Sequence, residues 1–103
     1  MTILHPLHLV FKSPFTHSAL VCALAVAEKN HGLLLLENGV YSILKTCAAL
    51  NEKDTSHLQI YALDADIHAC GISDLPRHEH IKIISWEDFI TLTTLSKPII
   101  SWF

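Results

Sequence analysis

The sequence predicts an α/β domain, a three-layer sandwich around a mostly parallel five-stranded sheet. Three observations carry that expectation. The run Gly32-Leu33-Leu34-Leu35-Leu36 has no polar face, so a strand there must be covered on both sides, as central parallel strands are. After it, Glu37-Asn38-Gly39 offers a turn with φ > 0 expected at the glycine, and Val40, Ile43, Leu44 and Cys47 then recur at helical spacing. Along the whole chain, short strands alternate with helical segments, and right-handed crossovers make successive strands parallel. The Asn-Gly pair also suits a hairpin, but the segment after it keeps a period of about 3.6 and never alternates.

Taken in order, Leu7–Phe11 is the first strand, preceded by Pro6, which confines pairing, and followed by the turn Lys12-Ser13-Pro14-Phe15. A helix is expected from Ser18 to Asn30. Its Ala19–Ala27 stretch is apolar all the way round, where a helix covering a sheet normally shows a charged outer stripe. Leu20, Leu24 and Ala27 form the natural inner stripe, which leaves Val21, Cys22, Ala25 and Val26 facing outward or sideways. Such a surface calls for a partner, and Val21, Ala25 and Val26 are therefore interface candidates.

The central strand leads into a helix over Val40–Leu50, and the polar loop 51–56 into a third strand, Leu58–Leu63. Asp64 suits the N-cap of a short helix Ala65–Cys70 that Gly71 can close. Ile81–Ile84 is a fourth strand. Ser85 then caps a helix with Glu87 and Asp88 in its first turn, where the helix dipole favours acids, and Phe89, Ile90, Leu92 and Leu95 mark its buried face. Pro98–Phe103 is the fifth strand. The five strands and four helical segments give a flavodoxin-like order.

The 103 residues suit one domain, residues 1–103, with half of them hydrophobic and 17% charged. That balance implies a sheet buried on both faces, apolar surface covered by another subunit, or both. A net charge of −3 with no run of Lys or Arg provides no footprint for direct nucleic-acid or anionic-membrane binding. Met1–Pro6 lacks the basic and apolar regions of a signal peptide, and no apolar stretch approaches the roughly 20 residues of a membrane span, so a cytoplasmic location is expected. The three cysteines, Cys22, Cys47 and Cys70, are widely spaced without a CxxC, which points to free thiols.

A site in such a fold lies past the carboxyl ends of the strands, here Lys12-Ser13, Glu37-Asn38, Asp64 and Ser85-Trp86. Three glycines and no G-x-G-x-x-G or P-loop argue against a phosphate cradle, so no cofactor is expected. The acids after the strands are too sparse for the Mg²⁺ site of a receiver domain. His78-Glu79-His80 with His68 and Cys70 is the best metal constellation among eight histidines, but it has no recognised ligand spacing and suits a solvated loop. Cys47 shares the apolar helix face and is expected in the core, and Cys70 to be partly exposed. Trp86 and Trp102 read as core or interface anchors.

The chain resembles the TusB/DsrH family of sulfur-relay subunits, with a DsrEFH-like fold. The likeness rests on Leu7-His8-x-x-x-Lys12-Ser13-Pro14-Phe15, on Leu34-Leu35-Leu36-Glu37-Asn38-Gly39-Val40-Tyr41, on Tyr61-Ala62-Leu63-x-x-Asp66-x-x-Ala69-x-Gly71, and on Phe89-x-x-Leu92 with Ser101-Trp102. It departs from the family pattern at Asn38, where Asp is usual, and at Cys70, where Arg is usual.

What the resemblance implies is a subunit of a cytoplasmic heterohexamer, TusBCD-like, built with paralogous TusC/DsrF-like and TusD/DsrE-like subunits. Small sulfur-carrier proteins feed such a complex, and its persulfide sulfur ends as 2-thiouridine at the tRNA wobble position. The principal carrier cysteine then belongs to a sister subunit, and this chain needs no independent activity. Two alternatives stand beside it: a DsrH-like subunit of oxidative sulfur metabolism with its own persulfide-carrying cysteine, and a small flavodoxin-like ligand-binding module. Cys22 is the sulfur-carrier candidate here, being near a helix start. It lies about one turn in among Ala, Val and Leu, beyond most of the helix-dipole benefit to a thiolate, which favours a packing or interface role. Trp102 joins Val21, Ala25 and Val26 among the interface candidates.

Overall fold

The computed structural model describes residues 6–52, 55 and 57–103; the expectations for Met1–His5 and for much of the 51–56 loop lie outside them. Five strands, β1 (Leu7–Val10), β2 (Gly32–Leu35), β3 (Gln59–Leu63), β4 (Lys82–Ile84) and β5 (Ile99–Trp102), form one sheet in the order β4-β3-β2-β1-β5. All four pairings are parallel, so the sheet is fully rather than mostly parallel. The helices are α1 (Ala19–Val26), α2 (Ala48–Glu52), α3 (Asp64–Ala69) and α4 (Trp86–Leu95).

Alternation along the strands divides the core into two layers. Val10, Leu33, Leu35, Ile60 and Ala62 pack with α1, α2 and α3. Leu7, Leu9, Leu34, Tyr61, Leu63 and Ile84 turn the other way and meet Leu92 and Phe89 of α4. The four-leucine run is therefore buried on both faces, Leu33 and Leu35 below one helix layer and Leu34 and Leu36 below the other. Between β4 and β5 the chain crosses from one edge of the sheet to the other, and α4 rides on that crossing alone.

Several local expectations are corrected. In place of one helix over Val40–Leu50 there is a 3₁₀ segment, Glu37–Ile43, then an extended Leu44, then α2. Tertiary bonding ends the first piece: Leu44 bridges Arg77, the His78 N–H donates to the Ile43 carbonyl at 2.8 Å and the Lys45 N–H to the Pro76 carbonyl at 3.2 Å. A seven-residue 3₁₀ run is long for that geometry, and these contacts hold it. The left-handed residue of the turn is Glu37, at φ 49°, and Gly39 does not have a positive φ. Its role is close approach, since a Cβ there would lie 2.0 Å from the Val10 carbonyl oxygen.

The first helix stops at Val26, four residues early, because Glu28–His31 forms a turn with Asn30 at φ 71°. In it the His31 N–H donates to the Glu28 carbonyl and the Glu28 N–H donates to His31 Nδ1, both at 3.0 Å. Its inner stripe is Ala19, Leu20, Ala23 and Leu24, with Ala27 only half-buried. Leu63, not Asp64, is the N-cap of α3, and Asp64 instead faces His68 across one turn at 3.4 Å. Ser85 does cap α4, its Oγ accepting from the Asp88 N–H at 3.2 Å. On that helix Leu92 and Ser96 are buried and Phe89 half-buried, whereas Ile90 and Leu95 are exposed. The inward face thus runs along Phe89, Leu92 and Ser96 at helical spacing, and Ile90 falls outside it.

Candidate functional site

The sheet order locates a crevice more closely than the strand ends alone. The connections leaving β1, β2 and β3 go to one helix layer, and the one leaving the adjacent β4 goes to the other. The switch point therefore falls outside the carboxyl ends of β3 and β4. Asp64 and Asp66 rim it on one side and Ser85 and the exposed Trp86 on the other. Asp66 is structural there, its Oδ2 accepting from the Glu37 N–H at 2.7 Å and so pinning the left-handed residue that leaves β2. Behind it, the half-buried Cys70 thiol donates to the Glu37 carbonyl and to Asn38 Oδ1, both at 3.9 Å. Hydrogen bonding with the Cys70 sulfur pushes the Tyr41 phenol above its usual value. Glu37, Asn38, Tyr41, Asp66 and Cys70 thus form one polar cluster that stitches the 3₁₀ segment to α3.

The second region is the outer face of α1. Val21 and Val26 are each about half exposed, and Ala25 and Cys22 are also exposed. Val21 lines an open cleft of about 320 Å³ together with Pro14, Phe15, Cys47 and Ala48. Cys47 is itself only 1% exposed, which places its thiol in the core as expected. The Cys22 N–H already donates to the Ser18 carbonyl at 2.9 Å, and its Sγ lies 4.0 Å from Ser18 Oγ. His17 engages Thr16, with Oγ1 and Nδ1 2.7 Å apart. Of the three thiols, then, Cys22 is the one a partner can reach directly, Cys47 is sealed, and Cys70 is held by acceptors.

Trp102 is half-buried and packs against the core below α1. Its indole Nε1–H donates to His8 Nδ1 at 3.0 Å, and His8 Nε2 lies 3.1 Å from His31 Nδ1. In the sequence His8 stands only as part of the Leu7-His8 motif and His31 carries no role; a histidine inside an apolar strand, which must find polar partners once buried, is the signal that points to such a chain. His8 is only 1% exposed, and burial together with neighbouring His31 holds its pKa below the usual value.

The metal constellation of the sequence is dispersed. His68 pairs with Asp64 and Ser73, His80 lies 3.3 Å from Thr55 Oγ1, and His78 stacks edge-on to His80. Among the described residues no three His, Cys, Asp or Glu side chains converge on a metal position. Among the same residues, no helix is long and apolar enough to cross a membrane.

The family described as DsrH like protein matches residues 12–98. Protein TusB of Buchnera aphidicola subsp. Baizongia pistaciae (strain Bp) is 31% identical over 96 residues, spanning 93% of this chain and 99% of that relative. Protein TusB of Sodalis glossinidius (strain morsitans) is 33% identical over 96 residues, with the same coverage. A family match over residues 12–98 and two relatives above 30% identity that span 93% of the chain mean that this chain belongs to the TusB/DsrH family.

Proposed function

We propose that this chain is a subunit of a cytoplasmic sulfur-relay complex, TusBCD-like, that passes persulfide sulfur toward 2-thiouridine at the tRNA wobble position. The observation that carries this is family membership along nearly the whole chain, which supports a sulfur-relay subunit role. The surface supports it too: Val21, Ala25 and Val26 present an apolar helix face, with no charged residue in α1 to solvate it. The partners are paralogous TusC/DsrF-like and TusD/DsrE-like subunits, with small sulfur-carrier proteins acting through the complex. In each transfer an acceptor thiolate attacks the outer sulfur of a donor persulfide, the S–S bond breaks, and the donor leaves as a thiolate.

In this proposal the chain is a structural partner and a sister subunit carries the main cysteine. The exposed Cys22 favours a second reading, a DsrH-like subunit that accepts sulfur itself. Purification of the tagged chain from its native host tests the assembly. Stoichiometric paralogous subunits support the proposal, whereas a stable monomer favours a self-sufficient flavodoxin-like module. Loading the complex with persulfide and mapping the added sulfur by peptide mass spectrometry separates the two sulfur readings. Label on Cys22 equal to that on the sister cysteine would overturn the structural role.

A further inference from the structure

His8, His31 and Trp102 join three segments of the fold through a single directed chain of hydrogen bonds. His8 is on β1, His31 immediately precedes β2, and Trp102 is on β5, an edge strand whose ladder is to β1. The indole is a donor only, so His8 Nδ1 must accept from it at 3.0 Å. A neutral His8 then carries its proton on Nε2 and donates to His31 Nδ1 at 3.1 Å. His31 Nδ1 also accepts from the Glu28 N–H at 3.0 Å, which leaves the His31 proton on Nε2.

One proton more breaks the chain wherever it goes. On His8 Nδ1 it faces the indole N–H, and on His31 Nδ1 it faces the His8 and Glu28 N–H groups. If His31 takes the proton and donates back to His8 Nε2, the His8 proton must move to Nδ1 and again meets the indole. The His8–His31 geometry is that of a hydrogen bond and not of a metal chelate: the nitrogens face each other with ring centroids 5.2 Å apart. Around His8, β2 and the inward residues of α1 bring only Leu, Gly and Ala, and β5 brings Ile100 and Trp102. The turn before β2 brings His31 with the Glu28 backbone, and its charged side chains Glu28 and Lys29 are exposed.

We propose that His8 and His31 form a proton-sensitive latch that holds Trp102 and the edge strand β5 on β1, and that uptake of one proton by the pair releases them. The consequence is local, because β2 and β3 stay paired through Leu33–Leu35 while β5 loses its side-chain anchor. This latch is independent of any sulfur chemistry. Acid would also expose the β1 edge and the side of α1 that packs on β5, next to the face carrying Val21 and Val26.

The test is nuclear magnetic resonance on the full chain, titrated between about pH 7.5 and about pH 5, a range that brackets the usual histidine value. At neutral pH the His8 ring should show the Nε2–H form and the Trp102 indole N–H a hydrogen-bonded shift. On acidification the indole bond and the protection of the Ile99–Trp102 amides should be lost together. If opening takes up one proton, protection should fall about tenfold per pH unit below about 6.5. The amides of Leu33–Leu35 should keep theirs. His8→Asn, which retains an acceptor for the indole but does not titrate, should make β5 protection flat with pH. Constant β5 protection in the natural protein, an Nδ1–H His8, simultaneous loss at β2, or an unchanged transition in His8→Asn would each overturn the latch. Should His8→Asn not fold, coincidence of His8 ring protonation with loss of the indole bond in the natural protein decides the matter.

Discussion

Replacing Gly39 by alanine places one methyl group where the structure has no room for it. The new Cβ would sit 2.0 Å from the Val10 carbonyl oxygen and 2.8 Å from its carbon, both backbone atoms at the end of β1. No rotamer relieves a Cβ clash, so either the 3₁₀ segment or the strand must move by an ångström or so. That movement strains two bonds that leave the same spot, Leu36 N–H to the Val10 carbonyl at 3.0 Å and Gly39 N–H to the Phe11 carbonyl at 3.1 Å. Overpacking costs roughly 1–3 kcal/mol. Weakening two hydrogen bonds adds about 1 kcal/mol each at most. The expected loss is therefore about 1–5 kcal/mol, or a Tm lowered by roughly 5–25 °C for a domain of this size. Gly71 is the internal control: it has φ +70° and open space around its Cβ position. There alanine meets only the left-handed backbone penalty of about 1–2 kcal/mol. Urea unfolding of Gly39→Ala and Gly71→Ala measures both on one scale. A Gly39→Ala loss no larger than that of Gly71→Ala would refute close approach as the reason for the glycine.

Asp66→Ala removes the acceptor for the Glu37 N–H, and denaturant unfolding should show a loss of about 1–2 kcal/mol; an unchanged midpoint would mean that Glu37 holds its left-handed turn unaided. Val21→Glu and Val26→Glu, both on an exposed helix face, should leave the stability of the isolated chain within about 0.5 kcal/mol. In the proposed complex the same charges should block assembly in a co-purification assay, and full assembly at native affinity would exclude that face as the interface. The pKa values of His8 and His78 both lie below their unfolded value of 6.5, so the unfolded chain binds protons more readily. Their contribution to stability is complete above about pH 6.5 and is lost as pH falls through the lower folded values, which a series of urea midpoints between neutral and mildly acidic pH should follow.

The parts of the fold that were legible in the sequence are those set by side-chain periodicity. A run of four leucines can only be a strand covered twice, and the two core layers divide Leu33 and Leu35 from Leu34 and Leu36 accordingly. The apolar outer face of α1 was legible for the same reason, because Val21 and Val26 follow the helical period away from Leu20 and Leu24. Features decided by distant backbone partners were not. The helical spacing of Val40, Ile43, Leu44 and Cys47 is real, but Leu44 leaves the helix to bridge Arg77, 33 positions away in the chain and invisible to a local pattern. The sequence makes Gly39 special without fixing the cause, since a glycine after a strand suits a positive φ and a tight contact equally well, and the position of Val10 separates them in favour of the contact. The His8–His31–Trp102 chain was missed because its members lie 23 and 94 positions apart.

The hydrophobic excess of the composition admitted two explanations, and the architecture shows how they coexist. Because α1, α2 and α3 share one face of the sheet, the ten-residue α4 is the helix that covers the other face among the described residues. A lone helix spends its narrow inward stripe on Phe89 and Leu92, so the remaining apolar residues of that layer, Trp86 and Ile90 among them, are left on the surface at more than half exposure. On the opposite layer the same thing happens for another reason. There α1 is eight residues with no charged side chain, so whichever stripe faces β1 and β5, apolar side chains must face solvent, and here they are Val21 and Val26. A domain that closes its sheet and yet keeps large apolar side chains on both outer layers has satisfied its own folding and retained surface for neighbours. That division suits the proposed structural partner, and it leaves Cys22, on one of those two surfaces, as the thiol on which the second reading depends, since Cys47 is buried and Cys70 is hydrogen-bonded.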